Sequence, residues 1–443
     1  MKALNKNFLS TFKYFFLLYC LFASIFSRSF VGLTIFKLRI GEIAIAFSFV
    51  YFIYVISLLI SNKLISRISK LLISQFVVVL LYFFILSFYT NSSLTNPYTF
   101  RSSSYIWVIA LVFLGNSLIL KIKNRNYIII FQLFLIFIYL TSLFGVFEIV
   151  EKFFLTYSDK FELHKGSDLA LVFIIFNLII NKYFEYKVIG LRLFVVNFSL
   201  FLPLFLFKSR SAFIAVLVFV FYELFLYFKN QNFTKKSNLL IIVIFLIVTT
   251  FSTVLTQNRV LPESIDTKII TESYSSLGTY KFSKYKQDMP FLYIENRRIY
   301  SGDGNLNWRF DMWQDAINDT TLDSKLYIGE GFKSKFKVFT VNNTEFGNDR
   351  TGLDKLNENL HNYFLNIFLR GGIIHLILVI YIFVYLYKNR IKNNFQMLVF
   401  YFSVFFISFF DASMENAHFP IIFYIFLGYF FIEKNKFSLE LKS

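Results

Sequence analysis

Among the polar stretches between apolar runs, a few carry side chains able to do chemistry. Lys208-Ser209-Arg210 stands between two apolar runs. A cation pair at that depth, one member a planar guanidinium, suits a diphosphate lying at headgroup level. The same pair could instead snorkel to lipid phosphate. His361-Asn362 closes a long polar stretch and opens another apolar run. An imidazole with an ordinary pKa near ~6.5 can take a proton from a hydroxyl at physiological pH, although a histidine at a helix start is also an ordinary interfacial residue. Arg370 follows in the same run beside Gly371-Gly372, a pair that permits a local break or close packing. Between these segments, Asn307-Trp308-Arg309-Phe310-Asp311-Met312-Trp313 reads as the start of an amphipathic helix. Flat aromatic faces beside an arginine fit a wet carbohydrate-and-phosphate site, and equally a packed face. Tyr327-Ile328-Gly329-Glu330-Gly331-Phe332 reads as a tight glycine turn and lacks the Gly-Lys-Ser/Thr ending of a phosphate-binding P-loop.

Several chemistries find no motif. There is no Ser-centred nucleophile elbow, no HExxH, no Walker A sequence and no plain carboxylate cluster for Mg²⁺. The single Cys20 lies inside the first apolar run, and His164, His361, His375 and His418 are too scattered for a metal-ligand spacing. No cofactor and no metal are expected.

The elements that position these residues follow from composition. Hydrophobic residues make up 56% of the 443, charged residues 16% and aromatics 21%, with 64 Phe. A soluble chain carries roughly 25% charged residues, so a soluble globule is excluded and the chain is all-α and polytopic in a membrane. Apolar runs of the ~20 residues needed to cross about 30 Å of hydrocarbon fall near 8–27, 42–61, 71–90, 105–120, 127–147, 168–181, 188–207, 211–228, 238–256, 361–387, 396–411 and 417–432, which predicts about 12 transmembrane helices. The first run follows Lys2 and Lys6 but is long and lacks a small-residue cleavage site, so it is expected to remain as a helix.

Net charge is +18, from 45 Lys and Arg against 27 Asp and Glu. The basic residues are scattered between apolar runs and form no single face, which excludes a nucleic-acid partner. They concentrate in alternate connectors, such as Lys63/Arg67/Lys70, Lys121/Lys123/Arg125, Lys229/Lys235/Lys236 and Lys434/Lys436/Lys442. The positive-inside rule then puts both termini in the cytoplasm. Residues 1–257 are expected to form the first nine helices, 258–360 a large, near-neutral loop on the outer face (periplasmic, if the membrane is a bacterial inner one), and 361–443 the last three helices with a cytoplasmic tail. Ser301-Gly302-Asp303-Gly304-Asn305 and Asn342-Asn343 mark turns in the loop, and Trp308, Phe310, Trp313, Ile317 and Phe332 supply the apolar anchors of a partly helical lobe.

Taken in order, Phe207-Lys208-Ser209-Arg210-Ser211-Ala212, then Trp308-Arg309-Phe310-Asp311-Met312-Trp313 with Ile328-Gly329-Glu330-Gly331-Phe332, then His361-Asn362-Tyr363-Phe364-Leu365 with Gly371-Gly372, resemble the bacterial O-antigen ligase and O-antigen polymerase family of membrane glycosyltransferases. The resemblance covers about residues 190–430. It implies a metal-independent enzyme that takes a glycan from undecaprenyl diphosphate and joins it to a sugar hydroxyl with inversion. It implies that Arg210 and Arg309 hold the diphosphate and that His361 orients or deprotonates the acceptor; Lys208, Ser209, Asn362, Trp313 and Arg370 are the candidate substrate-binding residues beside them, Arg370 being either functional or buried among helices. A ligase would use a lipid A-core acceptor; a polymerase would use another lipid-linked repeat unit. The single dominant outer loop is the more ligase-like layout. A transporter for lipid-linked oligosaccharide is the alternative from another class, with Glu223 and Arg370 as its candidate midplane residues.

Overall fold

The computed structural model describes residues 2–60, 67–93, 95–118, 125–230, 235–260, 279–281, 288–322, 325–340, 350, 358–389 and 395–432. The chain is mostly helical, as the composition requires. Among the described residues, eight helices are long and apolar enough to cross a membrane: Leu9–Val31, Ile40–Ser57, Lys70–Tyr89, Gly166–Phe184, Val188–Lys208, Arg210–Lys229, Leu239–Gln257 and Tyr363–Lys388. A ninth exists if Ile128–Phe144 is counted with Glu148–Tyr157, to which it is joined by a 77° bend.

The remaining three of the expected spans are shorter. Residues 104–116 are broken by a turn into Ser104–Val108 and Leu111–Asn116, and Gln396–Phe410 and His418–Phe431 have 15 and 14 residues. At 1.5 Å per residue such helices reach only about 22 Å, short of an average hydrocarbon core. The apolar runs at 396–411 and 417–432 are themselves shorter than 20 residues, and their helices stop within a residue of them. Among the described residues the expected all-α class also gains three two-stranded hairpins, the first being Thr34–Ile35 with Leu38–Arg39.

By contacts the chain forms two units. The first comprises residues 1–77, 104–260 and 382–443. Gly166–Phe184 is its central helix, with 83% of its span buried, against 11% for Leu239–Gln257 at the rim. The short helices close-pack through glycine. A Cβ at Gly115 would lie 1.8 Å from the Ile425 carbonyl oxygen, and one at Gly428 2.0 Å from that of Val112.

The second unit comprises residues 78–103 and 261–381. It holds the end of the helix Arg67–Tyr89, the short helix Pro97–Ser102, the amphipathic helix Gly304–Leu322 and the first part of Tyr363–Lys388. Asn96 accepts from the Tyr98 amide with Pro97 at the first helical position, and Asp303 accepts from the Leu306 amide at 2.9 Å, so both local helix starts are written in sequence. The turn expected at Asn342-Asn343 lies outside the described residues, as do the basic residues at 63, 121, 123, 434, 436 and 442.

Candidate functional site

His361 sits at the entrance to the helix Tyr363–Lys388 in a left-handed backbone conformation, φ +55°. Few non-glycine residues adopt that region, and those that do are held there by their surroundings. Here the surroundings are visible. Asn362 caps the helix, its side-chain oxygen accepting from the Leu365 amide at 3.0 Å. Trp313 donates its indole N–H to the Leu360 carbonyl at 2.6 Å, one residue before the histidine. Trp308 meets the imidazole edge-on, ring centroids 5.4 Å apart. The helix Gly304–Leu322 thus grips His361 from two positions, and Arg309 lies between them, half-buried.

That helix is itself fixed by ion pairs. Arg350, 3% exposed, donates to Asp311 from Nε at 3.1 Å and from Nη2 at 2.8 Å, and to Asp315. Arg298 reaches the same two carboxylates, Asp311 at 3.0 Å and Asp315 at 2.8 Å. Buried charges persist only when paired and hydrogen-bonded; both aspartates sit between the two guanidinium groups.

At its other end the His361 segment meets a break. Gly372 has φ +72° and ψ −177° inside the helix Tyr363–Lys388. The break frees backbone groups, and the glycine turn at 326–331 takes them up. Glu330 and Gly331 donate to the carbonyls of Leu369 and Arg370 at 2.7 and 3.0 Å, while the Ile373 amide donates to Leu326 at 3.0 Å. The Tyr82 hydroxyl lies 2.9 Å from the Gly371 carbonyl and 3.1 Å from that of Tyr327. Side chains are excluded here: a Cβ on Gly372 would sit 2.0 Å from the Tyr327 carbonyl oxygen, and one on Gly329 2.6 Å from the Arg370 carbonyl carbon. Arg370 folds over the turn, donating to Gly331, Ser334 and the Tyr98 hydroxyl at 3.1, 2.6 and 2.9 Å and stacking 3.9 Å above the Phe336 ring.

The second unit therefore brings Trp308, Arg309, Trp313, His361, Asn362 and Arg370 into one continuous support, in which the named polar contacts of Trp313, Asn362 and Arg370 are with protein groups. Asp311, inside the motif at 308–313, belongs to that support, as do Tyr82, Tyr98 and Arg350, to which the sequence assigns no role; of these Tyr82 alone carries a signal, as a polar residue near the end of an apolar run.

Lys208, Ser209 and Arg210 lie in the first unit. The helices Val188–Lys208 and Arg210–Asn230 are separated by Ser209 alone, in extended conformation. Lys208 is half-buried and donates to the His164 carbonyl at 3.0 Å, whereas Arg210 is exposed. Gly166 abuts the connector so closely that a Cβ there would lie 2.4 Å from that of Ser209. Two residues further on, Asp168 contacts His418 Nε2 at 2.9 Å, both side chains being buried. His164 is buried as well, its Nε2 3.0 Å from the Ser24 carbonyl. Burial pushes its pKa down to about 4, a loss only partly offset by that hydrogen bond. Glu223, weighed for a transporter, is wholly enclosed, with Asn181 donating to it at 2.6 Å and Gln396 to its other oxygen.

Residues 193–380 match the family model described as O-antigen ligase. The family likeness carried by the three motifs holds over that stretch, which includes Arg210, Arg309, His361 and Arg370. No curated protein and no solved structure matches the chain.

Proposed function

We propose, from the premise that residues 193–380 carry the O-antigen ligase family's sequence, that this chain is an O-antigen ligase-like glycosyltransferase. Its donor is a glycan on undecaprenyl diphosphate, and its acceptor is a sugar hydroxyl of lipid A-core, at the periplasmic face of the inner membrane with both termini cytoplasmic. The observation that carries this proposal is the hold on His361: a strained backbone, a cap at Asn362, and two tryptophans of one helix fixing the residue and its predecessor. A fixed imidazole contributes to catalysis by orientation as well as basicity.

In the proposed reaction the acceptor hydroxyl loses its proton to the His361 imidazole as its oxygen forms a new bond to the anomeric carbon. The bond from that carbon to the diphosphate oxygen breaks on the opposite face, so the configuration inverts. The electron pair leaves with undecaprenyl diphosphate, and guanidinium groups at Arg309 and Arg210 stabilise the charge that develops there. No metal is called for, because the cations are supplied by the chain. Asn362, Trp313 and Arg370 act by holding the His361 segment, and Lys208 and Ser209 by setting the connector that presents Arg210.

Complementation of ligase-null and polymerase-null strains, read on lipopolysaccharide gels, tests the proposal. Restored O-chain in the ligase-null strain supports it, with His361→Ala, Arg309→Ala and Arg210→Ala each abolishing transfer while membrane insertion is kept. Restoration of the polymerase-null strain alone reassigns the acceptor to a lipid-linked repeat unit. Full surface polysaccharide in all three variants removes the proposed site.

A further inference from the structure

We infer that the helix Glu148–Tyr157 and the adjacent hairpin Thr34–Arg39 form a lipid-binding platform that lies in the plane of the bilayer interface. The helix Ile128–Phe144 leads into Glu148–Tyr157 across Gly145, at φ +75°, and a 77° bend. A segment nearly perpendicular to a membrane-crossing helix runs along the surface and not through it.

Its side chains divide accordingly. Phe154 is buried, packed 5.0 Å from the Phe26 ring. Beside it Ile149, Phe153 and Tyr157 recur at every fourth residue and point outward, Ile149 at 83% exposure. Glu148 and Lys152 occupy a further face and pair with each other at 2.6 Å. Apolar, protein-facing and charged sectors on one short helix are the pattern of an interfacial segment.

The hairpin extends the same surface. Phe36, at its tip, is 96% exposed, with Ile35 and Leu38 exposed beside it. The hairpin is not a loose loop. Thr34 donates through its hydroxyl to the Tyr157 carbonyl at 3.0 Å, Asp159 donates through its amide to Gly32 at 3.1 Å, and Arg28 and Arg39 both reach the Asp159 carboxylate, at 3.2 and 3.3 Å. An aromatic ring fixed so firmly in full exposure is unexplained by the fold that holds it.

Lipid is the occupant because the apolar surface is continuous with a membrane-facing one. Ile130, Leu133, Phe137, Leu140 and Phe144 form an exposed stripe along the crossing helix at spacings of three and four residues, and Phe147, 81% exposed, carries it around the bend to Ile149 and Phe153. Lys37, Arg39 and Lys160 stand at its margin, where headgroup phosphates lie. The chain continues from this platform through His164 to Gly166, which abuts Ser209, so the platform sets the depth at which the Lys208–Arg210 connector rides.

Spin labels on the full-length protein test this. In a Cys20→Ala background, single cysteines at Phe36, Ile149 and Phe153 are compared with others at Glu148 and Lys152, after reconstitution in vesicles of phosphatidylethanolamine and phosphatidylglycerol. Labels at the first three should collide with oxygen in preference to a water-soluble nickel chelate and report a shallow depth, about 5–10 Å below the phosphates; those at Glu148 and Lys152 should show the reverse. Nickel-dominated collisions at Ile149 and Phe153 would place this face in water and overturn the inference. Protection from both reagents would give the face to a protein, and a midplane depth would make the helix a crossing one; either also overturns it. If Cys20→Ala lowers the yield, Cys20 stays in place, and its signal is subtracted using the unsubstituted protein.

Discussion

Trp313 donates its indole N–H to the Leu360 carbonyl at 2.6 Å, so the backbone that delivers His361 hangs from a side chain far earlier in the sequence. Both groups are buried. Trp313→Phe keeps an aromatic ring but removes the donor, leaving a buried carbonyl without it, at a cost of about 1–3 kcal/mol. Displacing His361 by as little as 1 Å is enough to cost on the order of 100-fold in rate. Glycan transfer per mole of inserted protein should fall by a factor between roughly 10 and 100 with the substrate KM nearly unchanged. A rate equal to the parent's would detach Trp313 from the positioning of His361.

The break at Gly372 makes a sharper demand. With φ +72° and a Cβ that would fall 2.0 Å from the Tyr327 carbonyl oxygen, Gly372→Ala opposes both backbone and packing. The loss should exceed the about 1 kcal/mol that glycine's freedom alone accounts for, and appear as a clearly lowered melting midpoint in detergent. Gly304→Ala is the control, since nothing stands within 4 Å of its Cβ, and it should melt like the parent. Equal midpoints for the two variants would mean that the glycine turn does not lock the break.

Arg350 joins the two aspartates of the Gly304–Leu322 helix while almost wholly buried. Arg350→Met strands Asp311 with only Arg298 and should destabilise by about 3–5 kcal/mol. Adding Asp311→Asn removes the stranded charge and should recover part of that loss. A double variant as unstable as the sum of the single ones would show that the pair is not coupled.

Much of this was legible in the sequence, and the limits are physical. The single-residue break at Ser209 was visible as three polar residues between apolar runs. The helix at 304–322 was visible as tryptophans and charges at helical spacing, and Gly371-Gly372 as a place where a helix could break. What met that break was not visible. Tyr82, Tyr98 and the turn at 326–331 come from distant parts of the chain, and long-range pairing leaves no periodicity to read. Arg350 resembled one more solvated charge in a polar loop, because burial of an arginine depends on partners that only folding supplies. The span count is matched in part: eight helices among the described residues are long enough to cross, while the runs at 396–411 and 417–432 form helices of 15 and 14 residues.

His164 gives the chain a pH dependence with a definite sign. Its imidazole is buried beside Ser142 and Ser24, and burial lowers its pKa from 6.5 to about 4. Between those values the unfolded chain binds the proton and the folded chain does not, so stability rises with pH across the window. The contribution is fully present above about pH 6.5 and is lost as pH falls towards 4, amounting to a few kcal/mol. Because the His164 carbonyl also receives Lys208 at 3.0 Å, protonation disturbs the connector that carries Ser209 and Arg210. The melting midpoint in detergent should therefore drop steadily from pH 6.5 to pH 4.5. His164→Gln, which cannot titrate, should melt lower than the parent at pH 7 but with a flatter profile below pH 6.5. Parallel profiles for the two proteins would assign the acid sensitivity to other groups.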